Sequence, residues 1–262
     1  MKQSDLSHFR GWFSDYTRSF YSVVREEQKN IDLKVRHTSE VCALTVQIAA
    51  GLSLDENKGL IAEAAALFHD LGRFPQYAKY KTFRDSISVN HGKLGAEVLI
   101  QEKVLRNLPE NEQSITINTV KFHNAIAIPD LKEGDEMLIL KMIRDADKLD
   151  IWRIFLGFCE TGPSDKKASE TGLGLPDMPG YSDEVLASIF NKQTASLKSL
   201  RSLNDFKIML MSWVYDLNFG PSVKLLVERD YLNKLASLLP ETGDIRKATA
   251  LLAQYLDRRL NN

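Results

Sequence analysis

Apolar residues recur at three- and four-residue steps along nearly the whole chain, and no stretch alternates apolar and polar residues over the length of a strand. The pattern predicts an all-α fold, with helices over 5–26, 31–51, 55–69, 91–106, 111–127, 134–160, 182–218, 221–238 and 242–260. Ser53 or Asp55 offers an N-cap to the third of these, and Gly72 stands where a left-handed residue would terminate it. Between them, Ala62, Ala64, Ala65 and Ala66 would let neighbouring helices come close. Two stretches lack a clean period. The segment 71–90, with Pro75 and many polar and aromatic residues, reads as an irregular loop; the segment 161–180, rich in Gly, Pro, Ser, Asp and Lys, reads as a lid or linker. Residues 1–160 are expected to form a core with an N-terminal helix, and 161–262 a loop or lid plus helices that complete the same globular unit.

Composition narrows the classes. With 262 residues, 44% of them hydrophobic, the chain buries a sizeable core as one large domain or a domain with an extension. The formal charge is −1 with both signs interleaved, so there is no broad basic field and duplex nucleic acid is disfavoured as a partner. Cys42 and Cys159 are too few for a disulfide framework and sit in apolar helical patterns; free buried thiols in a reducing compartment, the cytoplasm, are expected. The N-terminal stretch resembles neither a signal peptide nor a membrane span. Its stripe of Phe9, Trp12, Phe13, Tyr16 and Phe20 reads as packed against a globular body rather than lying on a membrane. The glycines of "TGLGLPDMPG" follow no strand and lack the spacing of a phosphate-cradling loop.

Candidate chemistry lies at His37, at the adjacent His69 and Asp70, and at Asp147 in "RDADKLD", each within a stretch that otherwise reads as buried helix. One buried histidine needs only a hydrogen-bond partner. Imidazoles and carboxylates arriving from separate helices are instead what a divalent transition metal requires. His37 falls in an inward stripe with Val35, Cys42, Val46 and Ala49, and Asp147 shares a face with Leu140, Ile143, Ile151 and Ile154. A carboxylate in that setting needs a metal, or a salt bridge to Arg36 or Lys148, to offset its burial. Asp145 and Asp150 read as solvated or supporting groups, with Asp145 the competitor of Asp147 as ligand.

The segments "LKVRHTSEV", "LFHDLGRF", "SVNHGKLGAEVL", "VKFHNAIAIPD" and "RDADKLDIW", spread over about 30–160, resemble the HD superfamily of metal-dependent phosphohydrolases, in particular its two-metal, phosphodiesterase-like branches. The resemblance implies an HD-domain helical bundle with additional C-terminal helices. It assigns His37, His69, Asp70 and Asp147 to one ion, and Asp70 as a bridge with His91 and His123 to a second. Four of the five histidines fill these positions, leaving His8. Read without the resemblance, His91 is a helix N-terminal residue held by a neighbour and His123 a cation facing the negative end of a helix. One or two divalent transition metals are implied, two being favoured, and imidazole ligands suit Mn, Fe, Co, Ni or Zn better than Mg.

The implied activity is hydrolysis of a phosphate mono- or diester on a small phosphorylated substrate, such as a nucleotide or cyclic nucleotide, by water that the metals acidify to hydroxide. Lys148, directly after Asp147, and Arg73, three residues after Asp70, are expected to stabilise charge on the phosphate, with Arg36 and Thr82 as further substrate contacts. Lys79, Lys81, Arg84 and Asp85 are candidates to line the entrance. The Gly-Tyr-Pro signature of the cyclic-dinucleotide group is missing, since "NAIAIPD" follows His123. Two alternatives share the same ligands: a diiron oxygenase of the superfamily and a non-catalytic ligand-binding module.

Overall fold

A computed structural model describes residues 1–128, 134–160 and 170–261. All regular structure among them is helical. The helices are α1 (Gln3–Arg18), α2 (Arg25–Gly51), α3 (Glu56–Phe68), α4 (Arg73–Tyr80), α5 (His91–Gln101), α6 (Glu110–Phe122), α7 (Asp135–Glu160), α8 (Asp183–Phe190), α9 (Leu203–Ser212), α10 (Gly220–Glu228), α11 (Tyr231–Ser237) and α12 (Gly243–Asn261). None is long and apolar enough to cross a membrane. The chain divides into two compact units, Met1–Asp150 and Ile151–Asn262, the division falling inside α7.

The first unit is built around α3. Asp55 caps this helix by accepting the Lys58 N–H, and Ala62, Ala64, Ala65 and Ala66 are fully buried, so α1, α2 and α6 all pack closely on it. The aromatic stripe of α1 packs inward: Phe9 and Trp12 meet Phe68 edge-on at 5.6 and 6.0 Å, and Phe13 meets Phe74 at 5.9 Å. On α2 the buried face is Ile31, His37, Thr38, Val41, Leu44, Thr45 and Ile48. Val46, expected inside, is 47% exposed. Cys42 is a half-buried free thiol whose pKa burial pushes up to about 12.

The segment 71–90 is more ordered than its composition predicts, since it contains α4 and a short 3-10 turn at Asp85–Ile87. Pro75 is tolerated as the third residue of α4, because a first-turn N–H has no acceptor within the helix. Phe74 and Tyr77 are buried one turn apart, and Lys81, at φ 53°, ends the helix. Gly72 is not the left-handed terminator expected: its φ is −67°. A Cβ there would lie 2.1 Å from the His91 carbonyl oxygen, so glycine is required for the close passage of this backbone against α5.

In the second unit α9 is buried along its whole length, with α8 and α11 packed on it and α12 packed on α8, α10 and α11. The single helix expected over 182–218 is broken. Lys192, at φ 55°, stands beyond the end of α8, and α9 starts afresh where Ser202 Oγ accepts the Asp205 N–H at 3.1 Å. Likewise 221–238 is split into α10 and α11 at Asp230, at φ 55°. Of the expected lid or linker, residues 161–169 lie outside the described residues; a 3-10 turn at Glu170–Gly172 follows them.

Candidate metal centre

Four helices of the first unit deliver imidazoles to one buried point. His37 comes from the middle of α2. His69 and His123 each stand directly after a helix, α3 and α6, in right-handed conformation, and His91 opens α5. All four are at most 3% exposed, whereas the fifth histidine, His8, is exposed.

Each ring is turned by what its Nδ1 touches. His69 Nδ1 donates to the Ala66 carbonyl at 2.7 Å and His123 Nδ1 to the Val120 carbonyl at 2.8 Å, using carbonyls of the last turn of each helix, which have no i+4 N–H within it. His37 Nδ1 donates to Asp150 at 2.7 Å and His91 Nδ1 to Asp85 at 2.8 Å. Every Nε2 therefore faces inward. They meet in pairs, His37 with His69 at 3.2 Å and His91 with His123 at 3.0 Å.

Asp70 stands between the pairs. Its Oδ2 lies 3.5 Å from His37 Nε2 and 3.8 Å from His69 Nε2, while Oδ1 lies 3.3 Å from His91 Nε2 and 3.7 Å from His123 Nε2. Asp147 adds an oxygen to the first pair, 3.1 Å from His37 and 3.9 Å from His69. Two ligand-competent clusters result, His37–His69–Asp70 and Asp70–His91–His123.

The donors fit a divalent transition metal. An ion about 2.1 Å from two nitrogens holds them about 3.0–3.4 Å apart over the range from octahedral to tetrahedral angles. The observed pairs are at 3.2 and 3.0 Å. In the second cluster the Nδ1 hydrogen bonds leave both Nε2 lone pairs and an oxygen of Asp70 converging, an arrangement that a cation relieves.

The electrostatics agree. Burial lowers the His69 pKa to about 4 and, together with Arg73, also lowers that of His91, so both are neutral ligands at pH 7. For His37 burial is outweighed by hydrogen bonds to Asp147 and Asp150, which raise it to about 9; without a metal, a proton holds the place of the cation. Asp70, despite its burial, is held well below the usual carboxylate range by Lys34 and Arg73. His37 depresses Asp147 in the same way.

The other expected site residues fall unevenly around this centre. Arg73 is committed to the protein: it donates to Asp70 at 3.3 Å, Gln76 at 3.1 Å, Asp85 at 3.1 Å and the Phe83 carbonyl. Lys148 is buried, with its ammonium 3.3 Å from the Arg144 carbonyl, and is not a surface lysine. Thr82 is buried and accepts the Arg84 N–H at 3.2 Å, which shapes the turn after α4. Arg36 is exposed and makes no contact with the clusters among the described residues. Asp145 and Asp150, expected as solvated or supporting, are both fully buried, and Asp147 rather than Asp145 is the carboxylate beside the histidines.

Sequence reasoning missed Lys34, whose ammonium is 2.8 Å from Asp70 Oδ2. Its spacing from His37, three residues along α2, was the signal, because that step shares a helix face and the adjacent Arg36 does not. It also missed Arg144, a buried guanidinium on α7 that donates to the carbonyl of His123 at 2.9 Å and of Ala125 at 2.6 Å.

Residues 35–152 match the family model of the HD domain. The chain carries an HD domain. No curated protein and no solved structure is matched by the chain. The match spans all four histidines as well as Asp70 and Asp147, and with the two clusters it classes the protein as an HD-type metal-dependent phosphohydrolase.

Proposed function

We propose that this protein is a two-metal phosphohydrolase acting on a small phosphate mono- or diester, such as a nucleotide or cyclic nucleotide. The observation that carries this reading is the division of Asp70, one oxygen toward each pair of facing imidazoles, because a shared carboxylate is what two adjacent cations need. His37, His69, Asp147 and Asp70 Oδ2 would hold one ion, and Asp70 Oδ1, His91 and His123 the other. Imidazole donors favour Mn, Fe, Co, Ni or Zn. When bound, such ions polarise a phosphoryl oxygen and lower the pKa of water toward neutrality.

The chain supplies the anion's reception. Lys34 uses one donor on Asp70 and its ammonium lies 5.2 Å from the centre of the Phe83 ring; no further hydrogen-bond acceptor is found for it among the described residues, which leaves a donor for a phosphate oxygen. Arg73, tied at four points, acts by its charge and by holding Asp70 rather than by reaching out. Lys148, the buried residue after Asp147 on α7, would add positive charge to the surroundings of the first cluster. Two cysteines, too few for a disulfide framework, support a cytoplasmic setting.

The test is elemental analysis of protein purified without added metal, followed by a phosphoester panel with each metal restored. Two transition metals per chain and metal-dependent phosphate release are expected. Retained iron with oxygen uptake on an unphosphorylated substrate would replace this reading with the oxygenase, and ligand-dependent stabilisation with no product on any substrate would replace it with a binding module.

A further inference from the structure

Asp85 lies outside both clusters, yet it receives more hydrogen bonds than any ligand in them. Its oxygens accept from His91 Nδ1 at 2.8 and 2.9 Å, Gln76 Nε2 at 2.9 Å, Asn124 Nδ2 at 2.9 Å and Arg73 Nη1 at 3.1 Å. A longer contact of 3.4 Å comes from the His91 backbone N–H. These donors belong to α4, to α5 and to the turn after α6, and Asp85 itself begins the 3-10 turn of the segment between α4 and α5. Gln76, fully buried, fastens the same segment through Ser88 Oγ at 2.9 Å and the Val89 carbonyl at 3.0 Å.

We infer that Asp85 is the positioning residue of the second metal cluster: by accepting from Nδ1 it fixes the His91 tautomer that leaves Nε2 free to bind a cation. This rests on the two-metal reading above. The chemistry is specific to the carboxylate. Asn124 Nδ2 lies 3.2 Å from the same Nδ1, so His91 Nδ1 faces a donor as well as an acceptor. An amide at position 85 could turn its own NH2 toward Nδ1, which would move the ring proton to Nε2 and aim it at His123, 3.0 Å away. An Nε2 that carries a proton is no ligand.

Asp150 occupies the mirror position behind His37 and serves as the control. Zinc titration of metal-free protein, with melting temperature recorded in parallel, separates the possibilities. The wild type should bind two ions. Asp85→Asn should keep the first at wild-type affinity and weaken the second by about 10–100-fold, the usual effect of losing a partner that orients a ligand. Asp150→Asn should reverse the pattern. Equal loss of both ions in Asp85→Asn, or an unweakened second ion, overturns the inference. A wild type that binds one ion overturns the two-metal reading and takes this inference with it.

Should Asp85→Asn fail to fold, the wild type still decides. Long-range proton–nitrogen NMR of the metal-free protein, with the His91 signals assigned through His91→Gln, should show the ring proton on Nδ1; a proton on Nε2 alone overturns the inference.

Discussion

The ammonium of Lys34 lies 2.8 Å from Oδ2 of Asp70, the carboxylate shared by both histidine pairs. Two roles are open to such a lysine. As a counter-ion it offsets a buried charge until metals arrive; as an anion receptor it acts on substrate once they have. Lys34→Met separates them, since methionine keeps the apolar stem and removes the charge. Zinc should bind the variant no more weakly than the wild type, because a competing cation has gone. Turnover at saturating metal should fall by about 10–100-fold, somewhat less than removal of a fully enclosed electrostatic donor costs. Wild-type turnover would leave Lys34 as a counter-ion alone.

Single-ligand substitutions should divide along the geometry. His69→Ala removes a donor of the first cluster only and His91→Ala one of the second, whereas Asp70→Ala strips an oxygen from each. Metal content after gel filtration should therefore fall to about one ion per chain in the two histidine variants and toward none in Asp70→Ala. Activity should be lost in His69→Ala and Asp70→Ala. Wild-type activity in either would refute the assignment of the site, and loss of all metal in His91→Ala would refute the division into two clusters.

The ligands were legible because their types are rare inside a helical core: His37, His69, Asp70, His91, His123 and Asp147 stand out against apolar surroundings and follow a family's order. What turns them was legible only in part, since Asp150 reads as a solvated or supporting group but without its partner. Asp150 and Asp85 lie 113 and 6 residues from the histidines they hold, and nothing in sequence distance announces either pairing. Helix α4 was hidden for another reason. Pro75 reads as a breaker unless the helix start is known, and "RFPQYAKY" is too short to establish a period before its buried pair, Phe74 and Tyr77, is recognised. In the second unit the apolar period runs through Lys192 and Asp230, whose left-handed backbones break the helices; lysine carries no turn signature, and a lone aspartate, though it tolerates this conformation, is too common on helix surfaces to announce a break.

Gly72 and Gly59 make opposite predictions from the same substitution. At Gly72 a methyl group would lie 2.1 Å from the His91 carbonyl oxygen and 2.6 Å from the Gly95 nitrogen, both backbone atoms that cannot swing aside. Gly72→Ala should cost about 3 kcal/mol or more and displace His91, lowering second-ion affinity in whatever protein remains folded. A Cβ on Gly59, inside α3, meets nothing within 4 Å. Gly59→Ala should stabilise by about 0.5–1 kcal/mol by restricting the unfolded chain. Urea unfolding of both variants checks the pair, and a tolerated Gly72→Ala would mean that the α4–α5 approach relaxes freely.

Asp205 gives the second unit an acid-sensitive joint. It is 1% exposed, and its carboxylate accepts the Ser182 N–H at 2.6 Å, the Arg201 N–H at 2.8 Å and the Ser182 hydroxyl at 2.9 Å, tying the start of α8 to the start of α9. Burial alone would raise its pKa, but these hydrogen bonds outweigh it and hold the carboxyl below its ordinary value. The sign follows. A group depressed in the folded state contributes its full stability above the unfolded value of about 3.9, and loses it as pH falls through the lower folded value. Asp205→Asn keeps the shape, removes the charge and presents a donor to backbone N–H groups. It should cost about 1–3 kcal/mol at pH 7. The gap to the wild type should narrow in urea titrations as pH falls below about 3.9, where the carboxyl of the unfolded wild-type chain takes up its proton while the folded one still resists; an equal gap above and below that pH would mean that shape, not charge, holds the joint.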